Sequence, residues 1–243
     1  MPERKPRLVL QAVAGDRCVL DVSEPHWRKY ADKVGADYIA IHTIVPTENP
    51  CQPKLWLDFY ANHYEQTLWV DADTLPMPDA PDIFSDVPQG HFGVMENAHL
   101  AKQHPTGEPL DKLLGLFPHG YFHAGVMVFP SIAGGLMADT FSLLANRTGV
   151  IAGLPENLLY YEQTALNQAW ATTEQPPLHR LDYRYNAYLE DDYIPLNFPS
   201  NPTLFPAAEC WFIHFAGGAH LKGGLSQQDR AVGMVGWIER NLP

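Results

Sequence analysis

Two aspartates one residue apart, Asp71 and Asp73, end the apolar run TLWV at residues 67–70. A carboxylate beside a core is costly unless it is paired, hydrogen-bonded or bound to a metal, and two together resist joint ionisation. Their oxygens suit a hard divalent cation, Mn2+ or Mg2+, which at a strand end can hold the phosphates of a nucleotide. The competing reading is a capped turn, because aspartate ahead of a proline-containing loop often serves that purpose. His214, late in WFIHFAG, is a candidate metal ligand through a neutral ring nitrogen, or else a satisfied core histidine. Glu162 falls within or beside the apolar side of a helix expected over 155–170, formed by Leu158, Tyr161, Ala165, Leu166 and Ala169. A carboxylate there is paired, poised for a task, or at the helix edge reaching solvent. His123, Ala124 and Gly125 interrupt the apolar strand FHAGVMVF with one polar and two small side chains. Small residues allow a ligand, or a packed neighbour, to come close to the backbone. Gly217, Gly218, Gly223 and Gly224 with Lys222 form a loop that either bends around phosphate or simply turns at the surface.

Regular elements must hold these groups. LVLQAVAG (8–15) reads as a buried strand. Ser23 is placed to cap the next helix with Pro25 in its first turn; Trp27, Tyr30, Ala31 and Val34 then recur at helical spacing up to Gly35. DYIAIHT (37–43) is a second strand. Pro53 opens a second helix, KLWLDFYANHYE, with Leu55, Phe59 and Tyr60 on one side, and TLWVDAD is the third strand. The alternation predicts an α/β fold with a mostly parallel central sheet flanked by helices. Ligands of such sheets sit outside the carboxyl ends of the strands, where Asp71 and Asp73 lie. Further strands are expected at 91–97, 122–129 and 210–217, and helices at 135–147, 155–170 and the carboxyl-terminal QQDRAVGMVGWIERNL. Residues 98–120 read as a long excursion. Residues 175–209, rich in Pro, Tyr and Asn, show little periodicity, and Tyr185 and Tyr188 there are of a type that stacks on sugar rings or packs a loop.

The composition excludes some partners. With 16 Lys and Arg against 28 Asp and Glu, the net charge is −12. That disfavours nucleic acid and electrostatic docking on anionic lipid. No apolar run is long enough for a transmembrane segment, and the amino terminus lacks a signal-peptide pattern. Cys18, Cys51 and Cys210 are odd in number and far apart, which suits a reducing, cytoplasmic setting rather than a zinc motif or disulfide framework.

An apolar strand ending in D-x-D, then hAGVMVF, then an acidic residue followed by Gln on a helix, then H-F-x-G resembles the GT-A-fold nucleotide-sugar glycosyltransferases, glycogenin-like family 8 and its relatives. The resemblance spans about residues 8–222. It implies a single glycosyltransferase domain, with a donor half at about 1–97, a smaller acceptor-side half at about 98–243, and a Mn2+ bridging the donor diphosphate. The metal ligands it implies are Asp71, Asp73 and His214. It places the nucleobase along Gln11, Ala12, Val13 and Ala14. Further donor contacts fall to Lys54, Asp71, Ala72, His123, Ala124, Gly125, Gly217 and Lys222, and Glu162 and Gln163 fall beside the reacting sugar and acceptor. The implied reaction moves a sugar from a nucleotide-sugar, a UDP-sugar in most relatives, to a hydroxyl acceptor with retained configuration. Two positions depart from the pattern: His123 stands where relatives usually carry Asn, and Lys222 lies two residues beyond the usual lysine position, which is His220 here. VDADT also resembles the first motif of haloacid-dehalogenase-type phosphohydrolases, with Asp71 as nucleophile. A third reading is a glycosyltransferase-like protein that binds nucleotide-sugar or glycan without turnover.

Overall fold

The computed structural model describes residues 5–43, 52–96, 120–133, 135–146, 161–172, 176–189, 204–205, 209–215 and 226–242. The chain begins with β1 (Lys5–Ala14), α1 (Cys18–Val34), β2 (Asp37–Thr43), a 3-10 turn at Gln52–Leu55, α2 (Trp56–Ala61) and β3 (Tyr64–Val70). There follow β4 (Thr74–Pro76), α3 (Ile83–Asp86), β5 (Phe92–Glu96), β6 (Phe122–Pro130), α4 (Leu136–Asn146) and α5 (Tyr161–Thr172). The last described elements are β7 (Leu178–Arg180), a 3-10 turn at Tyr183–Asn186, β8 (Tyr188–Leu189), β9 (Leu204–Phe205), β10 (Phe212–His214) and α6 (Gln227–Asn241).

Six strands form the central sheet in the order β2-β1-β3-β6-β5-β7. The β1–β2, β1–β3 and β5–β7 pairings are parallel, whereas β6 runs antiparallel to both of its neighbours. Side chains alternate across the sheet. Leu8, Leu10, Trp69, Met127 and Phe129 share one apolar cluster with Leu166 and Ala169 of α5. Val9, Leu68, Val70, Val126 and Val128 share another with Trp27, Tyr30 and Ala31 of α1. Both faces are covered, which is why these strands read as continuous apolar runs. A third cluster joins Val19 of α1, Ile213 of β10, and Met234 and Trp237 of α6.

The reversal of β6 builds the site. It brings the start of β6 beside the end of β3: Val70 pairs with Val126, and the Asp71 N–H donates to the Gly125 carbonyl at 2.8 Å. Helix α5 clamps the same point. Asn167 Oδ1 accepts from the Phe122 N–H at 2.8 Å, its Nδ2 donates to the Phe122 carbonyl at 2.9 Å, and Gln163 Oε1 accepts from the Ala124 N–H at 3.2 Å. On the other side β10 pairs antiparallel with β4, setting His214 opposite Thr74 and next to Asp73.

Several sequence expectations need correction. Helix α1 starts at Cys18, so Ser23 and Pro25 lie inside it. Val19 and Leu20 are buried and continue the apolar stripe backwards; this burial overrides the proline start signal. The second helix ends at Ala61, and Tyr64 and Glu65 already belong to β3. Its buried residues are Leu57 and Ala61, while Phe59 is 52% exposed. The strand expected at 210–217 is the shorter β10, which lies outside the central sheet. The irregular stretch holds β7, the edge strand beside β5. Tyr185 stacks on no sugar: it is fully buried, its hydroxyl donates to Asp86, and its ring packs on Trp211 and Phe212. Tyr188 lies in β8, and its side chain falls outside the described residues, as does the excursion at 98–119.

Helix α6 opens with a capping box. Ser226 Oγ accepts from the Asp229 N–H at 3.0 Å, and the Asp229 carboxylate accepts from the Ser226 N–H at 3.2 Å. Removing the hydroxyl leaves a first-turn N–H without its side-chain acceptor. Ser226→Ala is therefore expected to cost about 1 kcal/mol, lowering the melting temperature by about 2–4 °C in a thermal unfolding scan.

Candidate active site

Asp71, Asp73 and His214 each offer a ligand atom, and these atoms lie within 4.8 Å of one another. Each comes from a different device. Asp71 leaves the end of β3, held by Trp69 Nε1–H at 2.7 Å and Lys54 Nζ at 3.1 Å, both on Oδ1. Its carbonyl accepts the Thr74 hydroxyl at 2.6 Å and so tightens the turn. Asp73 is pinned from both sides: His214 Nε2 lies 3.2 Å from Oδ1, and Arg230 of α6 pairs with Oδ2. The Asp73 carbonyl accepts the Phe215 N–H at 2.9 Å, so β10 is stitched to the D-x-D turn. Ala72 between them packs partly against the third apolar cluster.

Burial acts to raise the Asp73 carboxyl, but His214 and Arg230 outweigh it and hold it well below the usual carboxylate range. Asp73 is thus ionised at neutral pH. Lys54 and Arg230 place one positive charge against each carboxylate, so the pair is neutralised locally although the whole chain carries −12. The donor set also fits a hard divalent cation. Two ligand atoms about 2.1 Å from a common centre at a right angle lie about 3 Å apart, and His214 Nε2 and Asp73 Oδ1 lie at 3.2 Å. Carboxylates with one imidazole suit Mn2+ or Mg2+.

The remaining expected residues divide clearly. Lys54 is buried, with Nζ donating to the Ala124 carbonyl at 3.0 Å as well as meeting Asp71. His123 turns Nδ1 inward, accepting from the Gly125 N–H at 2.9 Å and lying 2.8 Å from Asn186 Nδ2. Gly125 is small for a packing reason: a Cβ there would come within 2.5 Å of His214 Cε1 and 2.8 Å of His123 Cε1. The neighbour that needs the space is a pair of imidazoles. Ala124 is buried and its backbone is held by Gln163 and Lys54. Gln163 therefore reaches the site as a brace for β6. Glu162 lies in α5, but its side chain is outside the described residues, as are Gly217, His220 and Lys222.

The amino-terminal strand has two regions. Its ladder with β3 ends at Leu10↔Trp69, while that with β2 continues to Ala14↔Thr43. Gln11, Ala12, Val13 and Ala14 thus extend past the β3 ladder, beside Asp71. The Gln11 side chain is spent internally: Nε2 donates to Ser23 Oγ at 3.2 Å and the Asp71 carbonyl at 3.4 Å, and Oε1 accepts from the Tyr38 hydroxyl at 2.6 Å. This explains the buried Ser23.

Two residues of the site escaped the sequence reading. Asn186, buried in the 3-10 turn before β8, bridges His123 and His214. Arg230 neutralises Asp73 from 157 residues away. A basic residue one position before the buried face Ala231–Met234–Trp237 was the only signal for it.

Neither the protein-family models nor the curated proteins contain a match to this sequence. Solved structures do match. One is a glycosyltransferase involved in the glycosylation of the major capsid of PBCV-1, at 14% identity and TM-score 0.58, covering 95% of this chain and 98% of that one. Another is the galactosyltransferase LgtC in complex with donor and acceptor sugar analogues, at 13% identity and TM-score 0.60, covering 94% and 95%. A third is the glycosyltransferase GlyE of Streptococcus pneumoniae TIGR4, at 14% identity and TM-score 0.50, covering 98% of this chain and 64% of that one.

The chain has the GT-A fold. In this GT-A chain the D-x-D turn, the start of β6 and the histidine of β10 meet at the carboxyl end of β3, in the middle of the sheet. No helix among the described residues is long and apolar enough to cross a membrane.

Proposed function

We propose that this GT-A protein is a metal-dependent glycosyltransferase that moves a sugar from a UDP-sugar to a hydroxyl of a sugar or glycan. The observation that carries the reading is the Asp71–Asp73–His214 cluster at the carboxyl end of β3. A GT-A fold matched over nearly all of the chain supports it. Asp71, Asp73 and His214 would hold a Mn2+ or Mg2+, which would supply Lewis-acid charge for a leaving nucleoside diphosphate. Trp69 and Lys54 hold Asp71, and Arg230 holds Asp73, so the carboxylates meet their ligand preorganised. The backbone of Gln11–Ala14, extending past the β3 ladder, is the element assigned to the base. An acidic group beside the reacting sugar would stabilise the developing oxocarbenium charge or orient the acceptor hydroxyl, the roles assigned to Glu162. Gln163 keeps β6 in register beside it. Cys18 and Cys210, present as thiols, are compatible with a cytoplasmic protein.

Haloacid-dehalogenase-type chemistry loses its ground, because that motif opens its own fold and here β3 follows β1, α1 and β2. The Arg230–Asp73 and Lys54–Asp71 pairs favour one rival: donor binding in which these side chains replace the metal.

Charge balance leads to a test. With both carboxylates already neutralised, a divalent cation leaves an excess of positive charge that a diphosphate meets. Cation and nucleotide are therefore expected to bind interdependently. Calorimetric titration with UDP, GDP and dTDP, with Mn2+ and then with EDTA, should show UDP binding that the chelator abolishes. Binding unaffected by EDTA supports the side-chain cations. No nucleotide binding under any condition sinks the donor site.

A further inference from the structure

The chain of hydrogen bonds behind His214 fixes which of its ring nitrogens carries the proton. Its one unambiguous donor is the Gly125 N–H, which reaches His123 Nδ1 at 2.9 Å. His123 Nδ1 therefore accepts, and the neutral ring carries its proton on Nε2. The Asn186 atom 2.8 Å from that same Nδ1 must then be the amide nitrogen, which donates. This orients the whole side chain, so the opposite end is the carbonyl oxygen, 2.8 Å from His214 Nδ1. An oxygen only accepts; His214 Nδ1 must be the N–H. A His214 that carries only the Nδ1 proton keeps its lone pair on Nε2, which faces the Asp73 Oδ1 carboxylate oxygen at 3.2 Å and so takes a second proton or a cation between them.

Burial makes the arrangement unforgiving. Asn186 is 1% exposed and His214 4% exposed, so water does not readily substitute for either partner. The backbone holds the same geometry, since the Ala187 carbonyl accepts from the His214 N–H at 2.9 Å and Ala187 bridges to Ile213.

We infer that Asn186 is a positioning residue: held by His123 and the Gly125 N–H, it locks His214 in the Nδ1–H tautomer that presents Nε2 to a divalent cation. The inference rests on the reading of Asp71, Asp73 and His214 as cation ligands, and it gives His123 a structural task in place of a sugar contact. Partners on the far nitrogen of a ligating imidazole set its tautomer, orientation and basicity.

Two measurements test it. In 15N-histidine-labelled protein without metal at alkaline pH, the His214 signal, assigned by its loss in His214→Gln, should report a protonated Nδ1 and a bare Nε2. In Asn186→Leu that preference should disappear, and Mn2+ affinity in the presence of UDP should fall by about 10- to 100-fold. Asn186→Asp, whose carboxylate still accepts from Nδ1–H but can no longer donate to His123 Nδ1, should keep the His214 tautomer while losing the hold on His123. A protonated Nε2 in the unmodified protein overturns the inference, and that spectrum decides even where Asn186→Leu does not fold. So does a folded Asn186→Leu protein with unchanged tautomer and affinity. Unmodified protein that shows the Nδ1–H tautomer yet binds no Mn2+ overturns the cation reading alone and leaves the hydrogen-bond chain standing.

Discussion

Asp73→Asn is expected to lower kcat/KM for sugar transfer by roughly 10^3-fold, equivalent to about 4 kcal/mol of lost charge stabilisation. The amide keeps the shape and removes the charge. Asp73 stands between His214 and Arg230, so the substitution takes away a ligand oxygen and the counter-charge of a guanidinium at once. The new amide can still accept from Arg230 through its oxygen and donate to the His214 Nε2 lone pair, so what is lost is charge rather than shape. Because the Arg230 side chain is 23% exposed, it can relax towards water, and the loss of stability should stop at about 1–2 kcal/mol. That loss carries a pH signature. The folded-state carboxyl lies below its ordinary value, so its contribution is full at neutral pH, shrinks as pH falls below about 4, and is gone below the folded-state value. Denaturant unfolding of both proteins at neutral and acidic pH, beside initial-rate kinetics, checks both halves. Full turnover in the mutant would remove Asp73 from the mechanism.

Gly125→Ala has the second-largest expected effect, although it adds one methyl group. That methyl would sit 2.5 Å from His214 Cε1, 2.8 Å from His123 Cε1 and 2.9 Å from His214 Nδ1. Neither ring is a loose end. His123 is held by the Gly125 N–H and Asn186, and His214 is held by Asn186 and Asp73. The strand itself is fixed by the Asp71 N–H on the Gly125 carbonyl. Overpacking of this kind costs about 1–3 kcal/mol, and any relief comes from displacing His214. Mn2+ affinity measured with UDP present should therefore fall by about 100-fold. Gly236→Ala in α6 is the contrast: the nearest atom to its new methyl is Arg240 Nη1 at 3.4 Å, and the change should stabilise by about 0.5–1 kcal/mol. Thermal unfolding of both variants, with Mn2+ titrations alongside, separates a general packing effect from one at the metal ligands.

What could be read from the sequence followed the physics of each element. Strands β1 and β6 announce themselves because both of their faces are buried and the apolar run is continuous, whereas β2, a partly buried edge strand, shows through its Tyr38, Ile39 and Ile41. α1 is legible at Gly35, whose φ of 67° ends the helix, and illegible at its start, where burial of Val19 and Leu20 outweighs the proline. β4 and β7 have three residues each, too few for any period to show. Asp71, Asp73 and His214 were legible because their types and order carry chemistry. Asn186 and Arg230 were not, since an asparagine in a tyrosine-rich turn and an arginine beside an apolar helix face look ordinary until the fold brings them home. Gly125 was noticed for its size, but which neighbour needed the room was a question only three dimensions answer.

The Asp73–Arg230 pair spans 157 residues, and that span governs when the site comes into being. Closing a long loop adds little free energy, about 0.6 kcal/mol for each doubling of its length, but distant contacts are slow to find one another. β1, β2 and β3 meet through partners close in the chain. Asp73 must wait for β10 and then for the docking of α6 on α1. The D-x-D turn is thus among the earlier segments made and the last to be furnished with its partners, and ligand binding at that turn doubles as a reporter that the final helix has docked.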